Sequence, residues 1–287
     1  MKRLAFSILL MSALASCGKS EKPTPDEEPV PIRIATMMTR ATDHAFETGD
    51  KVGVFVVNQP GTIRPEGNHV DNCGFSFDGT QWNAGRQIYW PDAATKCDFY
   101  CYYPYASTIS SVDAFPFKVT LDQRGESGYK ASDFLWGKVT GVSPTPDPVM
   151  ITVSHRMSCL IVNLKAGTGW KESDLSEAEV TLNGLKASAV INLGEGVVTT
   201  CGDASEIRPN PIGGNSFSAL VPPQKVTDSD LVRIKLGDSS YSLKTTIDLK
   251  SGRQHTCTVV VNRTGEGINI GIGPWETDDI DYGGTVE

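Results

Sequence analysis

The chain has 287 residues, with 26 Lys and Arg against 34 Asp and Glu and a formal net charge of −8. That length allows one or two domains with real hydrophobic cores. An acidic chain without a basic stripe repels phosphate backbones, which argues against nucleic acid as a partner.

The first twenty residues, MKRLAFSILLMSALASCGKS, read as a leader. Lys2 and Arg3 give a positive start, and Leu4 to Leu14 form an apolar core too short to span a bilayer. Leu14-Ala15-Ser16-Cys17 is a small-residue cleavage site ending in cysteine. Residues 1–16 are therefore expected to be a lipoprotein signal peptide, removed once the Cys17 thiol takes a diacylglycerol, after which the new amino terminus is acylated. Each buried methylene contributes roughly 0.8 kcal/mol, so several acyl chains hold a protein far more firmly than one. An ordinary signal peptide with a chance cysteine at the cut is the alternative. After cleavage 271 residues remain, and loss of Lys2 and Arg3 takes the charge to −10. No later apolar run is long enough for a membrane helix.

Residues 17–31 continue as a tether whose GKSEKPTPDEEPVP is rich in Pro, Glu and Lys and buries too little apolar surface to offset its ordering entropy. The acidic run Asp26-Glu27-Glu28 is read as solvated linker, with export to the outer cell surface as the other reading. Beyond Cys17 six cysteines remain, at 73, 97, 101, 159, 201 and 257. An exported compartment permits disulfides, in any of fifteen pairings. Cys97 and Cys101 fall on one face of a strand but too far apart along it to bridge. No CxxC or Cys/His ligand spacing appears, so no metal site is expected, and the default is small buried apolar side chains.

From there the pattern is β nearly throughout: short runs of Val, Ile, Thr, Tyr and Phe broken by Gly, Pro, Asn and Asp. Strand-like runs cover 51–57, 97–105, 151–165, 179–184, 188–194, 215–223, 231–237, 255–262 and 268–272. Only Trp170 to Ala178 looks helical. The count of short strands predicts antiparallel sandwiches rather than an α/β fold. Ser143-Pro144-Thr145-Pro146-Asp147-Pro148 cannot lie in a central strand, and it divides an N-terminal domain, 32–147, from a C-terminal one, 148–287.

The blocks FETGDKVGVFVV (46–57), IYWP (88–91), DFYCYYPY (98–105), DFLWG (133–137), SHRMSCLIVNL (154–164), ALVPPQ (219–224), LKSGRQHTCTVVVN (249–262) and IGIGPWE (270–276) resemble, in this order, the fimbrillin-like proteins. These are the lipoprotein-derived type V pilins of anaerobic Gram-negative bacteria and their relatives. The resemblance covers essentially the whole mature chain. It implies two tandem, mostly antiparallel β-sandwich domains of transthyretin-like topology. It also implies a lipidated precursor, cut after an early strand by an arginine-specific or trypsin-like protease and polymerised by strand exchange.

The early strand would be Ile32 to Met38, with Ile32, Ile34 and Met38 on one face. Arg40, in MTRATDHAF, stands where the family's processing arginine would sit. Arg33 is the other candidate cut, expected to be shielded within the strand. Removing everything up to Arg40 would leave an apolar groove for a neighbouring subunit's strand to fill by β-augmentation. The plain reading makes Arg40 an ordinary exposed loop residue, since loop tips are generally cuttable. A donor is less obvious. In ETDDIDYGGTVE, Ile280, Tyr282 and Val286 alternate, but two glycines and several acids weaken the strand. Stalk, tip, anchor and non-pilus roles all stay open on this ground.

Phe99, Tyr100, Tyr102, Tyr103 and Tyr105 with Trp90 are read as core aromatics in preference to a sugar-stacking surface. His155 is read as a satisfied structural histidine. There is no Gly-x-Ser-x-Gly elbow, no His-Glu-x-x-His and no phosphate-cradling loop; GEGINIGIG (265–273) has the wrong spacing for dinucleotides. Paired carboxylates for glycoside cleavage leave no local signature, because the fold sets their geometry. The reading is thus of no enzyme, no catalytic residue and no cofactor. The expectation is a surface lipoprotein of fimbrillin type, a pilus subunit or a pilus-associated adhesin, held at the outer membrane by lipid on Cys17, with other pilin subunits as partners and, for an adhesin, a host or bacterial surface ligand. The alternative is a monomeric lipid-anchored binder, for example of glycans, which keeps 32–38 as a permanent core strand; an uncharacterised hydrolase is third.

Overall fold

The computed structural model describes residues 28–38, 46–264 and 267–272. It is nearly all β, in three sheets. The first half supplies β1 (Ile34–Met38), β2 (Lys51–Asn58), β3 (Val70–Phe77), β4 (Trp82–Ala84), β5 (Cys97–Tyr103), β6 (Phe115–Lys118), α1 (Glu126–Lys130), β7 (Leu135–Val142) and β8 (Val149–His155). The second supplies β9 (Ser158–Ala166), β10 (Glu179–Asn192), β11 (Val197–Ile207), β12 (Asn210–Gly213), β13 (Ser216–Val221), β14 (Lys225–Leu236), β15 (Ser239–Asp248), β16 (Gln254–Thr264) and β17 (Gly267–Ile272). A seven-stranded sheet runs β1-β8-β7-β5-β2-β3-β4. One five-stranded sheet runs β11-β10-β14-β15, with β6 added to β10, and the other runs β12-β13-β9-β16-β17.

The central strands β2 and β5 of the seven-stranded sheet are buried on both faces, and period-2 alternation sorts their side chains between two cores. Val52, Val54 and Val56 of β2 and Phe99, Cys101 and Tyr103 of β5 pack with Ile151 and Val153 of β8 in one cluster. Their neighbours Phe55, Val57, Tyr100, Tyr102 and Trp136 belong to the other, which continues into the two five-stranded sheets. This double burial is why 51–57 and 97–105 read as unbroken apolar runs. The five-stranded sheets close on each other around Leu160, Val162 and Leu164 from β9, Leu182 and Ile191 from β10, Ile234 from β14 and Val259 and Val261 from β16.

Several elements differ from the sequence reading. The run 151–165 is two strands in different sheets. The backbone turns at Arg156 and Met157, where the Arg156 N–H donates to Phe134 O at 2.8 Å, and Met157 drops into the larger core. The runs 179–184 and 188–194 are one strand, β10, because Gly184 takes a positive φ of 73° and absorbs the irregularity as a bulge. The helical expectation at 170–178 reduces to a 3₁₀ turn at Glu172–Leu175, and the short helix α1 carried no periodic signal. Two segments also cross the expected division at 147/148. β8 lies in the seven-stranded sheet, and β6 pairs with Ser188–Ile191 of β10.

Candidate functional site

The segment from Val30 to Met38 lies between β8 and the 82–90 segment. On one side β1 pairs in parallel with β8, from Ile34 opposite Val149 to Met38 opposite Val153, and Val149 N–H donates to Arg33 O at 2.9 Å. On the other, Ile32 N–H donates to Ile88 O at 2.9 Å, Trp90 N–H donates to Val30 O at 2.9 Å, and Pro31 bridges Tyr89. Farther along, Trp82 Nε1 of β4 donates to Thr36 Oγ1 at 2.9 Å. Ile32 and Ile34 are 2% and 4% exposed and pack with Val52, Phe75, Ile88 and Trp90. The strand thus closes the sheet covalently from the chain's N-terminal end. Without it, β8 keeps a row of unpaired backbone groups beside an apolar trough.

The sequence-predicted residues fall into place unevenly. Ile32 and Ile34 share the buried face as expected; Met38 is placed by its backbone pairing alone. Arg33 stands one residue before β1, its side chain exposed while its carbonyl is held by Val149. Cys17, Arg40 and the tail residues Ile280, Tyr282 and Val286 lie outside the described residues.

The ring of Phe46 meets Trp82 edge-on at 4.9 Å and Tyr103 at 5.8 Å. Next to it, Lys130 Nζ of α1 reaches Glu47 Oε2 at 2.7 Å and Asp50 Oδ1 at 3.0 Å. Burial alone would lower the Lys130 pKa, but these two carboxylates outweigh it and raise it. Sequence reasoning missed this clamp, because Lys130 and Glu47 are 83 positions apart.

Trp90, Phe99, Tyr100, Tyr102 and Tyr103 are buried, and Tyr105 packs partly buried against the larger core. They form no exposed stacking surface. His155 Nδ1 is 2.9 Å from Asp133 Oδ1. Burial pulls the His155 pKa down, yet the neighbouring carboxylate wins and raises it. The pair joins the start of β7 to the end of β8, and no local spacing announced it. All six described cysteines are free thiols. Burial pushes Cys101 up to about 12 and Cys97 and Cys257 up to about 11, which makes them inert packing groups. Among the described residues no cluster of His, Cys, Asp and Glu is arranged to hold a metal.

The body is nearly all β, with its early strand laid along β8, and comparison with known proteins narrows the class it belongs to. The fimbrillin-like family model matches residues 39–275, and the chain belongs to that family. The matched span begins one residue after β1. A Bacteroides uniformis protein named as a candidate fimbrium subunit, Fim1C, is 24% identical over 296 residues, covering 96% of each chain. A Bacteroides ovatus protein named as a candidate fimbrium tip subunit is 25% identical over 192 residues, 56% of this chain and 34% of that protein. The fold is similar to crystal structures of candidate cell adhesion proteins from B. uniformis (TM-score 0.68, 21% identity, 88% of this chain and 99% of the other) and B. ovatus (TM-score 0.69, 20% identity, 87% and 97%).

Proposed function

We propose that this chain is a fimbrium subunit of the cell surface, made as a precursor lipidated at Cys17 and carried to the outer membrane. It works as a structural and adhesive protein rather than as an enzyme. A protease cuts after Arg40, the segment up to and including β1 leaves, and a strand of a neighbouring subunit takes its place. The observation that carries this reading is the placement of residues 30–38: at the chain's N-terminal end, hydrogen-bonded to β8 and to the 82–90 segment, with Ile32 and Ile34 in the core. Family membership and the full-length similarity to a protein named as a fimbrium subunit support it.

The energetics favour exchange over simple loss. Burying Ile32 and Ile34 contributes roughly 1.5–3 kcal/mol each, and an emptied groove also leaves backbone donors and acceptors of β8 open. A donor strand restores both terms at once. The precursor keeps the groove shut, so assembly waits for the cut. The division into 32–147 and 148–287 fits this scheme only loosely, because β8, the strand that lines the groove, comes after the Pro-rich stretch.

Limited trypsin digestion of the chain lacking residues 1–17, with mass spectrometry of the new amino terminus and electrophoresis without boiling, tests the reading. A single cut after Arg40 and a ladder of heat-sensitive oligomers is the expected result. A cut there with no ladder identifies a tip or anchor subunit that cannot supply a donor to its own kind. Resistance at Arg40 with a chain that stays monomeric overturns the mechanism in favour of a lipid-anchored binder.

A further inference from the structure

On an acidic molecule, one cleft gathers basic side chains around an apolar floor. It has a volume of about 510 Å³ and lies where the ends of β10, β11 and β14 meet the 208–211 connection. Phe217, Val180 and the two prolines Pro209 and Pro211 supply its apolar surface, and Arg208, Arg233 and Lys235 stand around it. These cations are poorly neutralised. One carboxylate, Glu206, serves both Arg208 and Arg233, at 4.0 and 3.9 Å, and Lys235 Nζ is 3.7 Å from Glu179. Such loose, half-exposed pairs contribute little and are readily exchanged for a ligand. Arg124, also on the rim, is committed to Asp122 at 2.6 Å.

The cleft is held rigidly. Arg208 N–H donates to Leu121 O at 2.7 Å and Gln123 N–H donates to Arg208 O at 2.9 Å, so the backbone carrying Arg208 is locked to the 121–123 segment. That segment is pinned in turn by the fully buried Gln123, whose side-chain amide exchanges two 2.8 Å hydrogen bonds with the backbone of Leu220 in β13. Pro209 and Pro211 fix φ on either side of Asn210. Arg233 and Lys235 project from β14 opposite Thr181 and Glu179 of β10.

We propose that this cleft binds a saccharide carrying a single carboxylate, a sialic or uronic acid unit. The guanidinium forks of Arg208 and Arg233 match a carboxylate. Glu206 and Glu179 accept from sugar hydroxyls, Thr181 and Ser240 add neutral partners, and Phe217 with the prolines receives the apolar ring face. The two acids decide between ligand classes: they repel a polyanion such as an acidic peptide, whereas a polyhydroxylated ring with one negative charge uses both signs. The volume suits a small ligand. None of these residues belongs to β1 or β8, so the site stands or falls apart from strand exchange.

Titration calorimetry of the full chain after residue 17 with sialyllactose, monomeric galacturonic acid and neutral lactose tests the assignment. At least one acidic sugar binds, lactose does not, and affinity falls as salt rises from about 50 to about 500 mM. Arg208→Ala and Arg233→Ala each weaken binding about tenfold with an unchanged melting temperature, the loss expected for a charged hydrogen-bond donor. Arg208→Lys restores part of it. The site is overturned if lactose binds as well as the acidic sugars, if neither acidic sugar binds, or if the variants bind like the parent. It is also overturned if the acidic segment 273–287, as a synthetic peptide, binds the cleft while the sugars do not.

Discussion

Two residues stabilise the fold by different means. Gly196, in the turn between β10 and β11, has φ +69°, and a Cβ there would lie 2.4 Å from the Trp136 ring. That ring is anchored by its Nε1 donating to Leu193 O at 2.7 Å and by Arg156 stacked 4.8 Å above it. Gly196→Ala therefore combines backbone strain with overpacking and should cost about 2–4 kcal/mol, read as a clear fall in the denaturation midpoint. An unchanged midpoint would mean the ring has room to shift. His155 acts through charge. Its folded pKa is raised above the ordinary 6.5 by Asp133, so its stabilisation is fully present below about pH 6.5 and is lost as pH rises through the folded value. Urea denaturation between pH 5 and 9 should show stability declining across that window in the parent and a flatter profile in His155→Gln. A profile unaltered by the substitution would remove His155 as its source.

At the scale of elements, β1 is laddered to β8 along one edge and held on the other by the Trp82–Thr36 bond, so its hold is separable into parts. Trp82→Phe keeps the aromatic packing against Phe46 and Phe77 but deletes the bond to Thr36. The loss of about 0.5–1.5 kcal/mol falls on β1, so amide exchange at 34–38 should quicken up to about tenfold while β2 and β5 keep their protection. Uniform acceleration throughout the sheet would show instead that Trp82 supports the whole unit. The early strand was legible in the sequence because Ile32, Ile34 and Met38 fall on one face at strand spacing, and β2 and β5 because double burial leaves unbroken apolar runs. The Arg156–Met157 break was not, since its cause is a hydrogen bond to Phe134, distant in sequence, and a change of core with no change of composition. β6 and the Lys130 clamp share that origin: residues scattered along the chain meet only once the sheets form. The basic cleft was invisible for the same reason, its cations being spread from 208 to 235 in a net acidic chain.

At the scale of the whole molecule, the sheet closed by β1 is continuous through Tyr100, Tyr102 and Trp136 with the core of the second pair of sheets. Opening one gap therefore leaves most of the body in place, which is what a subunit needs if it is to lose a strand without unfolding. The backbone amides of β8 report this directly. Hydrogen–deuterium exchange at 149–153 should be slow in the precursor, fast in the chain cut after Arg40 and freed of residues 18–40, and slow again in the assembled oligomer, with β2 and β5 protected throughout. If β8 stays protected after the N-terminal segment has left, or if it gains no protection on assembly, then the groove does not receive a neighbour's strand and the account of assembly fails.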